Sequence, residues 1–294
     1  MPRWMPDWSR MMVEAREISL DAPDGYVYVI ADSHLGDARA PAGEFFDMLG
    51  RLPQARMVVF LGDLFQVWLG LPKFWGPRER CLLGGFERLR QSGVSILFIV
   101  GNREFFLPRR PERAARLGLP FDHVVYGACI LRWAGRRFGF THGDTINRLD
   151  TPHLKWRRFS RGWLFEAMFH LMPGPVARAV SEWIERTAAS TNRAIKVQFP
   201  HGEIREFADT VMGDLDGFMV GHFHRDLAFT PPGRRGEFRI VPDWHSKKAL
   251  LRLEPGGGCT RLVFSPADRS LEPREPEGEP QGEQPVTGGV STPP

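Results

Sequence analysis

The amino-acid sequence predicts a layered α/β fold, on three observations. Short apolar runs rich in β-branched residues recur along the chain, each ending in a small or polar residue. Helical stretches separate the first three of them, as in folds that alternate strand and helix. The later runs follow one another without long helices between them, which suggests a second, mostly antiparallel sheet.

In chain order, residues 26–31 (YVYVIA) run into Asp32, residues 57–61 (MVVFL) into Gly62 and Asp63, and residues 95–100 (SILFIV) into Gly101 and Asn102. Runs of this length and make-up read as buried strands. Residues 43–52 and 78–92 supply the intervening helices. Residues 137–141 then lead into His142, Gly143 and Asp144, and residues 217–220 into Gly221 and His222. The stretches near 124–133, 238–241 and 249–253 make the expected second sheet. A different segment, about 149–206, lies between two strand ends. In it Trp156, Phe159, Trp163, Phe165, Phe169 and Trp183 interleave with Lys155, Arg157, Arg158, Arg161, Arg178 and Arg186. Pro173 and Pro175 divide it into two expected helices, and its position is that of an inserted cap. Residues 266–294 are rich in Pro, Glu and Gly and cannot bury enough apolar surface to order themselves. The expected organisation is an N-terminal extension (1–24), a domain over 25–265 interrupted by the cap, and a disordered tail (266–294).

Composition narrows the classes of function. With 294 residues, 42% hydrophobic and 25% charged, the chain can bury a sizeable core without disulfide or metal staples. Cys81, Cys129 and Cys259 are scattered with no CxxC pair, which fits a reducing, cytoplasmic compartment and argues against a thiolate metal site. The opening MPRWMPDWSRMMVEARE mixes charges among its apolar residues and has no signal-peptide core. No window of about 20 apolar residues offers a membrane span. The net charge is +4, but the stretch from Pro266 onward holds six acidic residues against Arg269 and Arg274, so the body is more positive than the whole. A positive body suits a polyanionic partner: nucleic acid, a phosphate ester or an anionic lipid surface.

Chemistry is signalled by where the metal-capable side chains fall. Asp32 and His34 follow the first strand, Asp63 the second, Asn102 the third, His142 the fourth, and His222 and His224 the fifth. Sites in open α/β sheets form beyond the carboxyl ends of strands, so these seven can meet in one pocket. Carboxylate, amide and imidazole donors suit a pair of divalent ions. Two ions about 3.5–4 Å apart need a bridging carboxylate, and they can clamp the attacking and leaving oxygens of a displacement at phosphorus. Asp63, alone after its strand and followed by Leu64 and Phe65, is the natural bridge. The spacing of Asp32-Ser33-His34 and His222-Phe223-His224 puts each pair on one face of extended backbone.

In order, the blocks ADSHLGD, GDLF, GNRE, THGD and GHFH resemble the five-block signature of calcineurin-like metallophosphoesterases. The resemblance covers the stretch from Asp32 to His224. It implies a four-layer αββα sandwich, two sheets between helical layers, with a helical cap insertion. By position it also implies that Asp32, His34, Asp63 and His224 hold one metal, and Asp63, Asn102, His142 and His222 the other.

Many members of that family carry His after the Asn of the third block; here Arg103 stands there. GNREFFL, HGDT, the aromatic and basic insertion, GHFHR and a late Asp243-Trp244 are together similar to the branch that cleaves UDP-2,3-diacylglucosamine in the lipid A pathway. That likeness implies hydrolysis of a lipid-linked UDP sugar to UMP and diacylglucosamine 1-phosphate, with Mn2+ as the metal. It is compatible with peripheral contact on the cytoplasmic face of the inner membrane. Asn102 and Arg103 are the expected catalytic residues. The planar fork of Arg103 suits a phosphate oxygen, and because Arg does not give up its proton it suits a leaving group that is already a stable anion. The alternative for Arg103 is a salt bridge to Glu104 or Asp144. Asp144, Asn192, Arg193 and Lys196 are further candidate substrate contacts. The cap's apolar face would line an acyl-chain groove, or else pack as ordinary core. His123, His153, His170, His201 and His245 read as structural. Glu104 departs from the branch's usual Asp. No nucleic-acid motif and no obligate protein partner are evident. The competing enzyme is a relative acting on nucleotides, phosphoproteins or nucleic acid; a scaffold that has lost catalysis would lack ligands that are all present here.

Overall fold

Side chains alternate across a strand, so a run with no polar break must be apolar on both faces, and the structure covers both faces of each central run. This computed structural model describes residues 5–36, 42–173, 175, 176, 179, 180, 183 and 199–275. In chain order its elements begin with α1 (Trp8–Val13), β1 (Arg16–Leu20), β2 (Tyr26–Ile30), α2 (Ala42–Leu49), β3 (Ala55–Leu61), β4 (Trp68–Leu69) and α3 (Pro77–Gln91). They continue with β5 (Ser95–Ile99), β6 (Glu104–Phe105), α4 (Pro111–Arg116), β7 (His123–Val125), β8 (Cys129–Trp133), β9 (Arg136–Thr141), α5 (Thr151–Ser160) and α6 (Trp163–Leu171). After them come α7 (His201–Val211), β10 (Gly217–Val220), β11 (Leu227–Phe229), β12 (Glu237–Ile240), α8 (Trp244–Lys247), β13 (Ala249–Leu253), β14 (Cys259–Ser265) and β15 (Ser270–Pro273).

One sheet has the order β15-β14-β13-β2-β3-β5-β7 and the other β1-β8-β9-β10-β12-β11. Val27, Val29, Met57, Val59 and Leu97 meet Leu131, Phe138, Phe140 and Met219 between the two sheets. The alternate residues Tyr28, Ile30, Val58, Phe60 and Phe98 pack instead on Phe45 and Met48 of α2 and Leu82 and Phe86 of α3. Beyond the other sheet, Phe218, Val220 and Phe238 pack on Ile204, Phe207 and Val211 of α7. These are the four layers of an αββα sandwich.

The division of strands between the sheets differs from the expectation. β7 and β13, from the stretches near 124–133 and 249–253, belong to the first sheet, with β13 antiparallel beside β2. Residues 126–128 carry the chain across to the second sheet, where β8 begins. That second sheet is mixed rather than mostly antiparallel: β1–β8, β9–β10 and β10–β12 are parallel, β8–β9 and β11–β12 antiparallel. The long crossover containing α7 is what permits β9 and β10 to run parallel.

The boundaries shift as well. Residues 8–20, expected in an extension, form a helix and an edge strand paired with β8. Beyond residue 265, β15 pairs with β14, and residues 276–294 lie outside the described residues. In the cap, α5 and α6 already part at Arg161-Gly162, ahead of Pro173 and Pro175. α7 starts inside the expected cap but belongs to the core, because Ile204, Phe207, Ala208 and Val211 bury one face of it.

Candidate metal centre

Parallel β2, β3 and β5 are in register, with Ile30 opposite Phe60 and Leu61 opposite Ile99; in the other sheet Val220 lies opposite Thr141. The residues that follow these ends therefore share one edge of the sandwich. Asp32, His34 and His224 form one group and Asp32, Asp63 and His142 a second, the ligand atoms of each lying within 4.8 Å of one another. Asn102 Oδ1 is 3.1 Å from His142 Nε2, and the His222 ring centre is 5.1 Å from that of His142. All seven residues expected as ligands are brought together. Asp32 is common to both groups, whereas the sequence pattern assigns the bridge to Asp63. Asp63 Oδ1 lies 3.6 Å from His142 Nε2, and Asp32 Oδ1 3.7 Å from His224 Nε2.

The backbone is bent unusually to achieve this. Asp32, His34, Asp63, His222 and His224 have φ of 50°, 47°, 46°, 69° and 52°, a left-handed region that costs a non-glycine residue about 1–3 kcal/mol and clusters at functional sites. Gly62 takes φ 82°, and a Cβ there would sit 2.3 Å from His142 Nδ1. Gly101 is needed for a different reason: a Cβ would come 2.3 Å from the Asp63 nitrogen.

Behind these candidate ligands stands a shell of polar partners. Glu104, fully buried, accepts hydrogen bonds from the backbone N–H of Asp63 (3.2 Å), Phe65 (3.3 Å) and Gly101 (2.8 Å). The Arg103 N–H donates to Asp63 Oδ1 at 3.0 Å, its Nε lies 3.3 Å from Asp63 Oδ2, and its Nη1 donates to the Gln66 carbonyl. Arg103 is thus paired with Asp63. The Asp32 carboxylate accepts from the His222 N–H at 2.8 Å, and Asp243 Oδ2 lies 3.8 Å from His224 Nδ1, the arrangement by which a carboxylate orients a ligating imidazole. Asp144, a candidate substrate contact, is buried and ion-paired with Arg157. Arg161 Nη2 donates to the Gly101 carbonyl at 2.7 Å. From the N-terminal side, Trp8 Nε1 donates to the Thr145 carbonyl at 3.2 Å, its ring meets Phe207 edge-on at 5.3 Å, and the Arg148 guanidinium lies 3.4 Å from its ring centre. α1 thereby braces the turn that follows His142.

Charges are crowded here. Burial disfavours a charged His224, yet Asp32 and Asp243 beside it push it up to about 9. Burial, with Asp63 adding, pushes Asp32 up to about 6 against the pull of His224 and His142. His142 is raised because Asp63 and Asp32 outweigh its burial. His222 falls to about 3 through burial and the neighbouring His142 and His153. Burial and Asp63 raise Glu104 to about 8. Burial opposes the charge on Asp144, but Arg157 and Arg161 hold it well below the usual carboxylate range.

The donor set fits two divalent cations. It offers two carboxylates, an amide oxygen and four imidazoles and no thiolate, suited to borderline or hard ions. Asp32 Oδ1 is buried without a hydrogen-bond partner among the described residues, a cost that a cation would remove. Asn192, Arg193 and Lys196 lie outside the described residues. Sequence reasoning missed several contributors. From the sequence Glu104 stands out only as a departure from the branch's usual Asp and as an alternative partner of Arg103, and Asp243 only as half of a dipeptide. Arg157 and Arg161 stand four apart, a spacing that does signal one helix face. His153 and His245, read as structural, lie 5.7 Å from the His222 ring and 5.6 Å from the His34 ring.

A buried carboxylate, amide and imidazole centre at the shared edge of an αββα sandwich defines a metal-dependent phosphoesterase. The chain belongs to the calcineurin-like phosphoesterase family, whose model matches residues 25–226. It is similar to proteins named UDP-2,3-diacylglucosamine hydrolase. The Stenotrophomonas maltophilia (strain R551-3) relative is 28% identical over 244 residues, 78% of this chain and 94% of that one. The Ralstonia nicotianae relative is 29% identical over 254 residues, covering 79% and 90%. The Neisseria gonorrhoeae relative is 27% identical over 259 residues, covering 82% and 98%.

Proposed function

We propose that this phosphoesterase hydrolyses the pyrophosphate of UDP-2,3-diacylglucosamine, giving UMP and 2,3-diacylglucosamine 1-phosphate. The reading is carried by the meeting of the strand-end residues from Asp32 to His224 at one edge, in a chain similar to hydrolases of that name over nearly their whole length. In this proposal Asp32, His34, Asp63 and His224 hold one Mn2+, and Asp63, Asn102, His142 and His222 the other. Ions held there would supply an activated water, its pKa brought from 15.7 to about 7, and neutralisation of charge at phosphorus.

The chain's own groups do the positioning. Arg103 lies against Asp63 in the candidate centre, where a planar guanidinium would suit a phosphate oxygen. A guanidinium fixes oxygen rather than protonating the leaving group, which suits a phosphate that departs as a stable anion. Asp144 orients Arg157. Asn192, Arg193 and Lys196 are proposed to contact the substrate from the cap. On α6, Leu164, Met168 and Leu171 are 61%, 46% and 86% exposed, a stripe suited to acyl chains and the cytoplasmic face of the inner membrane. No helix among the described residues is long and apolar enough to cross a membrane.

The test is mass spectrometry of the products of UDP-2,3-diacylglucosamine incubated with the Mn2+-loaded protein, in which UMP is expected. Hydrolysis of bis-p-nitrophenyl phosphate without release of UMP from the lipid substrate would leave a phosphoesterase with another substrate.

A further inference from the structure

His153, Arg157 and Arg161 stand four residues apart along α5 and its C-cap, within about 80° of arc on the helix. From that face the cap reaches the chain beyond three strand ends at once. The His153 ring centre lies 5.7 Å from that of His222. Arg157 is ion-paired with Asp144, in the turn that follows His142. Arg161 Nη2 donates to the Gly101 carbonyl at 2.7 Å, and that carbonyl belongs to the peptide group joining Gly101 to Asn102. Glycine has little backbone preference of its own, so Gly101 takes its direction from its partners. Glu104 accepts its N–H at 2.8 Å, and Arg161 holds its carbonyl. Asn102 Oδ1 comes to rest 3.1 Å from His142 Nε2. Behind Arg161, the Tyr126 ring centre is 5.2 Å from the guanidinium, and its hydroxyl donates to the Leu107 carbonyl at 2.9 Å.

The other group of candidate ligands is braced from elsewhere. Asp243, the N-cap of α8, lies 3.8 Å from His224 Nδ1, and the His245 ring centre is 5.6 Å from that of His34. One metal position thus leans on α8 and the other on the cap. We infer, on the two-ion reading above, that α5 positions the site formed by Asn102, His142 and His222, with Arg161 as the decisive positioning residue. Affinity for that ion then depends on how the cap docks, whereas affinity at Asp32, His34 and His224 does not. Arg161 is a sharper probe than Arg157, because the turn after His142 has a second brace in α1, through Trp8 and the Thr145 carbonyl. Both guanidiniums face protein groups in this arrangement, Arg157 the Asp144 carboxylate and Arg161 the Gly101 carbonyl. Direct contact with substrate would show instead as a raised KM with both ions retained.

Equilibrium dialysis of the full chain against Mn2+, with bound metal counted by mass spectrometry, compares the wild type with Arg161→Met, Arg161→Lys and Arg158→Met. Arg158 is exposed and stands about 100° round the helix from Arg157. Wild type and Arg158→Met should hold two ions. Arg161→Met keeps the apolar stem and loses the donor; it should hold one ion tightly and bind the other about 10–100-fold more weakly, the usual effect of losing a group behind a metal ligand. Arg161→Lys, which can still donate to the carbonyl, should fall between. Turnover of bis-p-nitrophenyl phosphate by Arg161→Met should recover as Mn2+ is raised, with KM little changed. Two tightly held ions in Arg161→Met overturn the inference, as does a loss of turnover that Mn2+ does not restore, or an equal loss of metal in Arg158→Met. Melting curves check folding. Where Arg161→Met does not fold, Arg161→Lys decides: a weakened second ion supports the inference and an unchanged one overturns it. A wild type that holds a single ion overturns the two-ion reading, and this inference with it.

Discussion

Replacing Glu104 with Ala strips the acceptor from three backbone N–H groups at once, those of Asp63, Phe65 and Gly101. All three belong to residues that are themselves buried, so water cannot take the place of the carboxylate. A buried donor left unsatisfied costs about 1–3 kcal/mol. Three on adjoining turns share some relaxation, which puts the loss at about 3–6 kcal/mol, a large fraction of the roughly 5–15 kcal/mol that holds a domain folded. Glu104→Gln separates the contributions. Its carbonyl can replace Oε2, which serves Asp63 and Gly101, but its amide then faces the Phe65 N–H, for a loss of about 1–3 kcal/mol. Urea unfolding of the metal-loaded protein at fixed pH measures both. The reasoning is refuted if Glu104→Ala costs less than about 1 kcal/mol, or if the Gln variant loses as much as the Ala variant.

Three further outcomes are expected. Arg103→Ala should lower kcat by about 100-fold, the usual effect of removing one donor aimed at developing charge, with metal content by mass spectrometry unchanged; unchanged turnover removes Arg103 from the chemistry. The value of His224 in the folded protein, about 9, lies above its ordinary 6.5, so its contribution to stability is complete below pH 6.5 and is lost as pH rises through 9. Chelator-treated protein should accordingly melt at falling temperature across that window, while Mn2+-loaded protein, in which a cation takes the place of the proton, should not. Trp8→Ala should cost about 3–5 kcal/mol in urea unfolding, because α1 packs as core; a loss under about 1 kcal/mol would make it a dispensable appendage.

The centre was legible because buried parallel strands are continuous apolar runs, and their first polar successors must stand at the sheet edge. YVYVIA, MVVFL and SILFIV each lead to a candidate ligand, Asp32, Asp63 and Asn102. Which sheet a later strand joins was not legible. Residues 249–253 read as a strand from their side chains, but their pairing with β2 depends on contacts more than two hundred residues away. REISL near the N-terminus, expected within an extension, is an edge strand whose partner is β8. Glu104 could be seen but not understood, since the sequence does not say that its carboxylate faces three N–H groups from two separate turns. The bridging role divides in the same way: the pattern singles out Asp63, and only the geometry reveals Asp32 as near to both groups.

The placement of β13 has a consequence for how the protein is made. β2 delivers Asp32 early in synthesis, yet its outer edge stays unpaired until Leu251 arrives to face Val29, about 10–40 s later at ordinary translation rates. Asp243, which lies against His224, emerges only just before it. Ribosome-stalled chains ending ahead of Asp243 should therefore retain no ions through gel filtration, whereas released chains should. Until Leu251 arrives, the exposed sheet edge on the nascent chain is a template for pairing with other chains.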